Sequence, residues 1–379
     1  MLTVADITRA LDDWAPPGQK ADFDRVGLQV GDAAAEVRGV LVALDLTPAV
    51  VDEAAERGAG LVVTHHPLLF KPLDRVTAGH PVGGLVLRLA QAGVAFYAVH
   101  TNLDAAWGGV SFALAEQLGL EGVGLLSPLD GALRKLTTYV PADHADAVRS
   151  ALADAGAGEI GAYRACSFST GGFGRFQPLA DASPAVGEAG GPLETVEETR
   201  LEATVASWRV SGAITAVSRA HPYEQPVVDV VTLEGSATRT GYGALGTLPA
   251  PEPLPTFLAR VARRLDARAL RYVGDERTQI QRVAVCGGSG MSFFADARRA
   301  GADAYVTADV TYHRFFEALD AGGHPSIALV DAGHYETEAV TERLVADRLG
   351  AAFPDLDVHV TRHRTSPMQT FALEATRVE

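Results

Sequence analysis

Short runs of apolar residues end in polar residues at several places in the first third of the chain. The predicted strand Leu61–Thr64 passes directly into His65 and His66, and Val94–Val99 passes into a polar segment that ends at Asp104. A helix-like spacing of apolar residues precedes each strand, which is typical of a largely parallel α/β sheet. Functional residues of such sheets collect beyond the carboxyl ends of the strands, so we expect these polar side chains to lie close together.

The same pattern returns in the last third of the chain. Predicted strands at Arg282–Val285, Asp303–Thr307 and Ser326–Val330 each end in glycine or polar residues. The last strand leads to His334 and Glu338, which are four residues apart and therefore share one face of the predicted helix. A histidine and a carboxylate at this spacing can hold one metal ion, although an exposed polar pair at the same spacing is ordinary on helices.

The middle of the chain has a different pattern. Strand–helix–strand occurs twice, as in the split arrangement of a ferredoxin-like domain, with these predicted elements: Lys135–Val140, Asp143–Ala155, Tyr163–Phe168, Thr199–Val205, Trp208–Arg219 and Val227–Leu233. We therefore predict an α/β core of two lobes, residues 1–130 and 243–379, and an inserted ferredoxin-like α+β domain, residues 131–242.

Three segments that contain glycine or proline are predicted to be loop. They are Asp22–Gly31, Gly171–Gly174 and Pro178–Pro192. The last two lie in the predicted insert and separate its second and third strands.

A glycine-rich turn, Cys286–Gly290, follows the strand Arg282–Val285 and precedes a predicted helix. Backbone N–H groups of such a turn can bind an anion such as a phosphate. The turn lacks the spacing of the nucleotide-binding fingerprints, so a purely structural turn is an equal alternative.

The segment Ala220–Pro226 of the insert contains a histidine and a glutamate, His221 and Glu224. They can form a second chemical site, or the two prolines and Tyr223 can form a rigid entry to the next strand. The structural interpretation is favoured, because nothing else in the insert supplies ligands at a metal-binding spacing.

Composition and charge exclude several classes of protein. Lys plus Arg number 32 against 47 Asp plus Glu, a formal net charge of −15, which repels nucleic-acid backbones and anionic membranes. Cys166 and Cys286 form no CxxC pair, as expected in a reducing compartment. Residues 1–16 lack a signal-peptide pattern, and no apolar stretch approaches the roughly 18 residues that span a bilayer. We expect a cytoplasmic protein without membrane or nucleic-acid partners.

The polar residues at the strand ends form one candidate set of metal ligands. Three imidazoles and two carboxylates suit two divalent ions about 3.5 to 4 Å apart with a bridging carboxylate, and they are His65, His66, Asp104, His334 and Glu338. Mixed nitrogen and oxygen ligands without thiolate accommodate Zn, Fe, Mn or Co. Each residue also has an ordinary alternative; Asp104, for example, can cap the following helix.

Four segments occur in a fixed order along the chain: Val63–Lys71, His100–Asp104, Val285–Gly290 and Gly333–Glu338. This succession resembles the Nif-three-like dinuclear-metal family, whose members are often named GTP cyclohydrolase type-two homologues. The resemblance covers residues 1–128 and 243–379, while the insert resembles the PII/CutA-like domain of the longer bacterial members. One departure is Asp24-Arg25, where the family has Asp-Asn.

The resemblance implies a two-metal site at the five residues above, with Glu338 as the bridge, and a toroidal hexamer built as a trimer of dimers. We expect a metal-dependent hydrolase of a small phosphate-bearing or nucleotide-like substrate. His100 and His313 are candidates for proton transfer and Lys71 for contact with a substrate anion, although structural roles are equally open for all three. The alternative hypothesis is a non-enzymatic metal or metabolite sensor, metal store or metal insertase.

Overall fold

The protein divides into two compact units in a computed structural model that describes residues 1–129, 131–234 and 239–371. The first unit combines Met1–Pro128 with Arg239–Glu379, and the second unit, here called the insert, comprises Leu129–Thr238. Among the described residues, none of the helices has both the length and the apolar character needed to cross a bilayer.

The secondary structure follows in chain order. The first part of the chain contains α1 (Val4–Trp14), β1 (Gly27–Val30), β2 (Gly39–Ala43), α2 (Pro48–Glu56), β3 (Leu61–Thr64), α3 (Pro81–Ala92), β4 (Ala95–Ala98), α4 (Thr101–Ala105), α5 (Val110–Leu118) and β5 (Glu121–Pro128). The insert contains β6 (Leu133–Pro141), α6 (Ala145–Asp154), β7 (Phe168–Phe176), β8 (Glu194–Ala206), α7 (Val210–Ala220) and β9 (Val228–Thr232). The last part contains β10 (Gly241–Pro253), α8 (Leu254–Arg264), β11 (Arg271–Val273), β12 (Gln279–Val285), α9 (Phe294–Arg299), β13 (Ala304–Thr307), β14 (Ala328–Asp331), α10 (His334–Glu338), α11 (Val340–Ala352) and β15 (Asp357–Val360). Short 3₁₀ helices lie at Pro17–Gln19, Ala142–His144, Ser207–Arg209, Met291–Phe293 and Tyr312–Ala318.

The first sheet of the first unit has the strand order β1-β4-β3-β2-β15. Strands β4, β3, β2 and β15 are parallel, and β1 adds to one edge in the antiparallel direction. The central strands are buried at every position, which explains their continuous apolar sequences. The prediction of loop at Asp22–Gly31 is wrong for its last part, because the glycine-bounded β1 pairs with β4.

The second sheet of the first unit has the order β11-β14-β13-β12-β10-β5. Only β12, β13 and β14 are parallel to one another, so this sheet is mixed where the sequence pattern predicts a largely parallel one. The long antiparallel pair β5 and β10 is not predicted, because glycine and proline interrupt the apolar alternation of both strands. The single helix predicted after the strand Ser326–Val330 is two helices, α10 and α11, and α10 begins at His334 and ends at Glu338.

The insert is a four-stranded antiparallel sheet with the order β7-β8-β6-β9. Helices α6 and α7 pack on one face of this sheet through an apolar core that includes Leu136, Val148 and Leu201. Two predictions are wrong here: the strand predicted at Tyr163–Phe168 begins only at its last residue, Phe168, and Gly171–Gly174 is not a loop but the centre of β7. Each residue of β7 is paired with β8, and this pairing outweighs the poor strand propensity of glycine.

Candidate metal centre

His65 and His66 follow the buried strand β3 of the first sheet. Their rings diverge, with a centroid separation of 5.2 Å and an interplanar angle of 49°. The Nε2 atom of His65 lies 3.7 Å from Asp104 Oδ1 and 3.7 Å from Glu338 Oε1. Divergence at the strand end thus gives the two adjacent imidazoles different sets of neighbours.

His66 faces the last residues of the second sheet instead. Its Nε2 atom lies 3.0 Å from Glu338 Oε2 and 3.3 Å from His334 Nε2. The Nε2 atom of His334 also lies 3.0 Å from Glu338 Oε2. Three lone-pair donors therefore converge on one point, and the spacing of His334 and Glu338 along α10 places both on the side of the helix that faces His66.

Glu338 is the residue common to both sets, since Oε1 is near His65 while Oε2 is near His66 and His334. Its side chain is buried, and the glycine-rich turn after β12 makes room for it: a Cβ atom on Gly288 would lie 2.0 Å from Glu338 Oε1. The N–H groups of Gly288 and Gly290 donate to threonine hydroxyls at 3.0 and 2.9 Å. These two N–H groups are therefore already bound to acceptors within the protein. This favours a purely structural turn over an anion-binding one.

Each of the three imidazoles is held through its other ring nitrogen. The Nδ1–H group of His65 donates to the Val99 carbonyl (2.9 Å). Those of His66 and His334 donate to Asp45 Oδ1 (2.7 Å) and to Asp309 Oδ2 (2.7 Å), respectively. Such partners orient each ring and, in its neutral form, leave Nε2 as the lone-pair donor, as is usual for metal-bound histidines.

A fourth imidazole, His100, lies beside this cluster. Its ring centroid is 5.1 Å from that of His65 and 5.5 Å from that of His66. Nδ1–H of His100 donates to Asp24 Oδ1 at 2.8 Å, and Asp24 is fully buried. Burial would raise the pKa of Asp24, but hydrogen bonds from His100 and Thr101 and the nearby imidazole lower it, so Asp24 stays ionised.

Charge is concentrated in the cluster. Burial would lower the pKa of His66, but hydrogen bonds to Asp45 and Glu338 raise it to about 10. The hydrogen bond to Glu338 raises the pKa of His334 to about 9. Burial raises the pKa of Asp104 to about 7, whereas for Glu338 the surrounding imidazoles outweigh burial and hold the pKa well below its usual range. The Glu338 carboxylate thus lies where positive charge is favoured.

The residues fit a divalent metal ion. His65 Nε2 is buried and has no hydrogen-bond partner, a costly arrangement unless another group binds it. Within the described part of the chain, two sets of side chains are close enough to hold an ion: His65, His66 and His100, and His66, His334 and Glu338. The neighbouring Cys286 is buried and its thiol pKa is raised to about 12, so the donors are nitrogen and oxygen.

The remaining candidate residues belong to neither set of side chains close enough to hold an ion among the described residues. His313 is exposed on the 3₁₀ helix Tyr312–Ala318, where its ring contacts Tyr312, and Lys71 is exposed in the segment after His66. In the insert, His221 and Glu224 belong to neither set that could hold a metal among the described residues. Sequence analysis did not single out the partners Asp45 and Asp309. Asp45 comes two residues after the end of β2, so the strand-end pattern was available as a signal for it.

The fold and the cluster define an α/β protein with a histidine- and carboxylate-rich centre able to hold a metal ion. The chain belongs to the DUF34/NIF3 family: the family model described as Duf34/NIF3 (NGG1p interacting factor 3) matches residues 2–367. The family predicted from the four sequence segments is thereby confirmed.

Bacterial relatives match almost the whole chain. A Mycobacterium tuberculosis protein named GTP cyclohydrolase 1 type 2 homolog is 41% identical over 361 residues, with 93% of this chain and 94% of the relative covered. A Bacillus subtilis protein of the same name is 38% identical over 345 residues, covering 90% and 91%. The crystal structure of a Bacillus cereus protein related to NIF3 has a TM-score of 0.78 at 36% identity, covering 98% of this chain and 99% of that one.

Proposed function

We propose that this protein binds two divalent metal ions, with Glu338 as the bridge, and is a metal-dependent hydrolase of a small phosphate-bearing or nucleotide-like substrate. The observation that carries the proposal is the position of the Glu338 carboxylate. One oxygen lies 3.7 Å from His65 Nε2 and the other 3.0 Å from the Nε2 atoms of His66 and His334. A carboxylate that faces two ligand sets suits a close pair of ions.

The ligands divide into two groups in this proposal. His65 and Asp104 hold one ion, His66 and His334 hold the other, and Glu338 contacts both. When bound, such ions polarise a carbonyl or phosphoryl oxygen and lower the pKa of water toward neutrality. Zn, Fe, Mn and Co all accept this donor set.

His100 is the residue that we assign to proton transfer. Asp24 fixes its Nδ1–H, so Nε2 is the atom that accepts or donates a proton on the side of His65 and His66. His100 also belongs to a set that could hold a metal, so an additional ligand role is open. Lys71, exposed after the histidine pair, is the candidate for a substrate anion, and His313 is the weaker candidate for proton transfer because it is exposed on a different segment.

The family resemblance carries further proposals. We infer a cytoplasmic homo-hexamer, a trimer of dimers, without membrane or nucleic-acid partners. Residues 1–130 and 243–379 would form the two lobes of the metal-binding core. The predicted inserted domain, residues 131–242, would be PII/CutA-like. The strand order β7-β8-β6-β9 of the insert supports this proposal.

Hydrolysis can be tested on metal-loaded protein with a panel of nucleoside phosphates and p-nitrophenyl phosphate. We expect His100→Gln to keep its metal and to lose about 100-fold or more in turnover. The matched control is His144→Gln, because His144 is also held by a neighbouring carboxylate, Asp143, but lies in the insert. Equal turnover in wild type and His100→Gln would remove His100 from the reaction, and His313→Gln tests the weaker candidate in the same assay.

A metal or metabolite sensor, store or insertase is the second candidate function. The observation in its favour is the insert, which is a compact unit of its own. Two ions per chain with no hydrolysis of any substrate in the panel would favour this function over the enzyme.

A further inference from the structure

The insert contains a cavity of about 980 Å³, within the size range of small-molecule sites. Its walls come from β7, from the loop between β7 and β8 and from the segment Tyr223–Val227. The loop closes on itself, since Gly190 N–H donates to the Leu179 carbonyl at 3.0 Å. All lining residues belong to the insert, so the cavity is separate from the candidate metal centre.

A buried carboxylate, Glu198, lies in the wall of this cavity. Its side chain is only 9% exposed, and Oε1 accepts a hydrogen bond from the Tyr223 hydroxyl at 2.7 Å. Among the described residues, no hydrogen bond reaches Oε2 and no lysine or arginine pairs with the carboxylate. A carboxylate that lines a cavity without a positively charged partner suits a ligand that supplies the charge.

The backbone of β7 is adapted to this carboxylate. A Cβ atom on Gly174 would lie 2.2 Å from Glu198 Oε2, so a larger residue there would force the carboxylate to move. The glycine-rich sequence Gly171–Gly174, which is a poor strand former, thereby has a specific role.

The segment His221–Glu224 holds the site together. His221 donates through Nε2–H to the Tyr139 carbonyl at 2.8 Å and accepts at Nδ1 from Tyr223 N–H at 3.0 Å, which fixes the Tyr223 ring beside Glu198. Burial and the hydrogen bond to Glu198 raise the pKa of Tyr223, so its hydroxyl remains a donor. Glu224 Oε1 accepts from Ser183 N–H at 3.2 Å and so ties down the loop over the cavity.

The lining selects the chemistry of the ligand. It carries three carboxylates and two guanidinium groups: Asp181, Glu198, Glu224, Arg175 and Arg200. The charge of Arg200 is already paired, because its Nη2 lies 2.5 Å from Glu202 Oε1. Aromatic rings, whose faces attract cations, also line the cavity: Tyr139, Phe173, Phe176 and Tyr223.

We propose that this cavity is a binding site for a small organic cation, an amine, amidine or guanidine on an apolar body, whose positive group pairs with Glu198. The apolar body packs on the aromatic rings, and Tyr223 orients the carboxylate. The cavity shares no residue with the candidate metal centre, so the same binding is expected in metal-free and metal-loaded protein.

The test is calorimetric titration of the full-length protein with benzamidine at low ionic strength, with benzamide as the neutral ligand of the same shape. We expect benzamidine to bind at least about tenfold more tightly than benzamide. Glu198→Gln should weaken benzamidine binding by at least about tenfold, while Glu197→Gln, an exposed neighbour on the opposite face of β8, should change it less than about twofold.

Three results would overturn the proposal: no benzamidine binding in the millimolar range, unchanged binding in Glu198→Gln, or an equal loss in Glu197→Gln. Circular dichroism and thermal unfolding show whether each variant is folded. If Glu198→Gln does not fold, Gly174→Ala decides, because its Cβ atom displaces the carboxylate without removing the charge. Unchanged benzamidine binding in Gly174→Ala would then contradict the proposal.

Discussion

The candidate metal centre and the insert cavity each place a buried carboxylate beside a glycine, but they surround it with different groups. Glu338 faces the Nε2 atoms of three histidines, each fixed by an acceptor at Nδ1. Glu198 faces a tyrosine hydroxyl and aromatic rings. Lone pairs that converge suit an inorganic cation, whereas ring faces suit an organic one. A buried carboxylate is thus suited to different ligands according to its neighbours.

The largest expected effect is a loss of metal binding when the carboxylate of one site, but not of the other, is replaced. Glu338→Gln keeps the size of the side chain but removes the charge shared by both ligand sets, so we expect metal affinity to fall by more than about 100-fold. Glu198→Gln should leave metal content unchanged. Metal analysis after dialysis checks both variants, and a comparable metal loss in Glu198→Gln would break the comparison.

The two glycines offer a second contrast. In Gly288→Ala the Cβ atom would lie 2.0 Å from Glu338 Oε1, at a backbone φ of +59°, so we expect at least about a tenfold loss of metal affinity and a lower melting temperature. Gly174→Ala should retain its metal and lose only benzamidine binding. Wild-type metal affinity in Gly288→Ala would show that the glycine turn does not position Glu338.

A smaller effect is expected at the histidine partners. Asp309→Ala removes the acceptor of His334 Nδ1–H and should weaken metal binding by about 10 to 100-fold. Asp143→Ala removes a similar partner from His144 in the insert and should have no effect on metal. Competition with a chromophoric chelator gives both affinities, and equal affinities would mean that Asp309 does not orient the ligand.

The smallest effect concerns stability and pH near the cluster. Burial raises the pKa of Glu342 to about 7, so the carboxyl favours folding in its protonated form, and this contribution is lost as pH rises from its ordinary pKa of 4.5 toward 7. Glu342→Gln should therefore stabilise the metal-free protein by about 2 kcal/mol at pH 8 and by little at pH 4. Chemical unfolding at both pH values measures the difference.

Glu53 is the matched control with the opposite sign. Burial would raise its pKa, but hydrogen bonds from Thr361, Arg57 and Arg362 lower it. Its contribution is present above the ordinary pKa and is lost as pH falls. Glu53→Gln should therefore destabilise the protein at pH 8. A stabilising effect of both substitutions at pH 8 would contradict these assignments.

The sequence predicts that the residues of the candidate metal centre lie close together, because the candidate ligands follow strands. β3, β4 and β14 end beside His65, Asp104 and His334, and parallel strands bring their carboxyl ends to one edge of each sheet. Asp45 and Asp309 also follow strands, but single aspartates at strand ends are too common to be distinguished. Asp24 lies in a loop 76 residues from His100, so no local pattern could connect them.

The cavity of the insert could not be predicted from the sequence. Its second strand contains three glycines, and low strand propensity predicts a loop there. The pairing of β7 with β8 is a tertiary effect that no window of residues shows. His221 and Glu224 were noticed as a polar pair, but their roles depend on Tyr139 and Ser183, which are distant in the chain.

The central claim, a pair of divalent ions bridged by Glu338, is tested most directly by the number of metal ions per chain. Untagged wild type, His65→Ala and His334→Ala should be loaded with one metal, dialysed and measured by ICP-MS. The account predicts about two ions in the wild type and about one in each variant, because each histidine serves a different ion. One ion or fewer in the wild type, or a full complement in both variants, would contradict it.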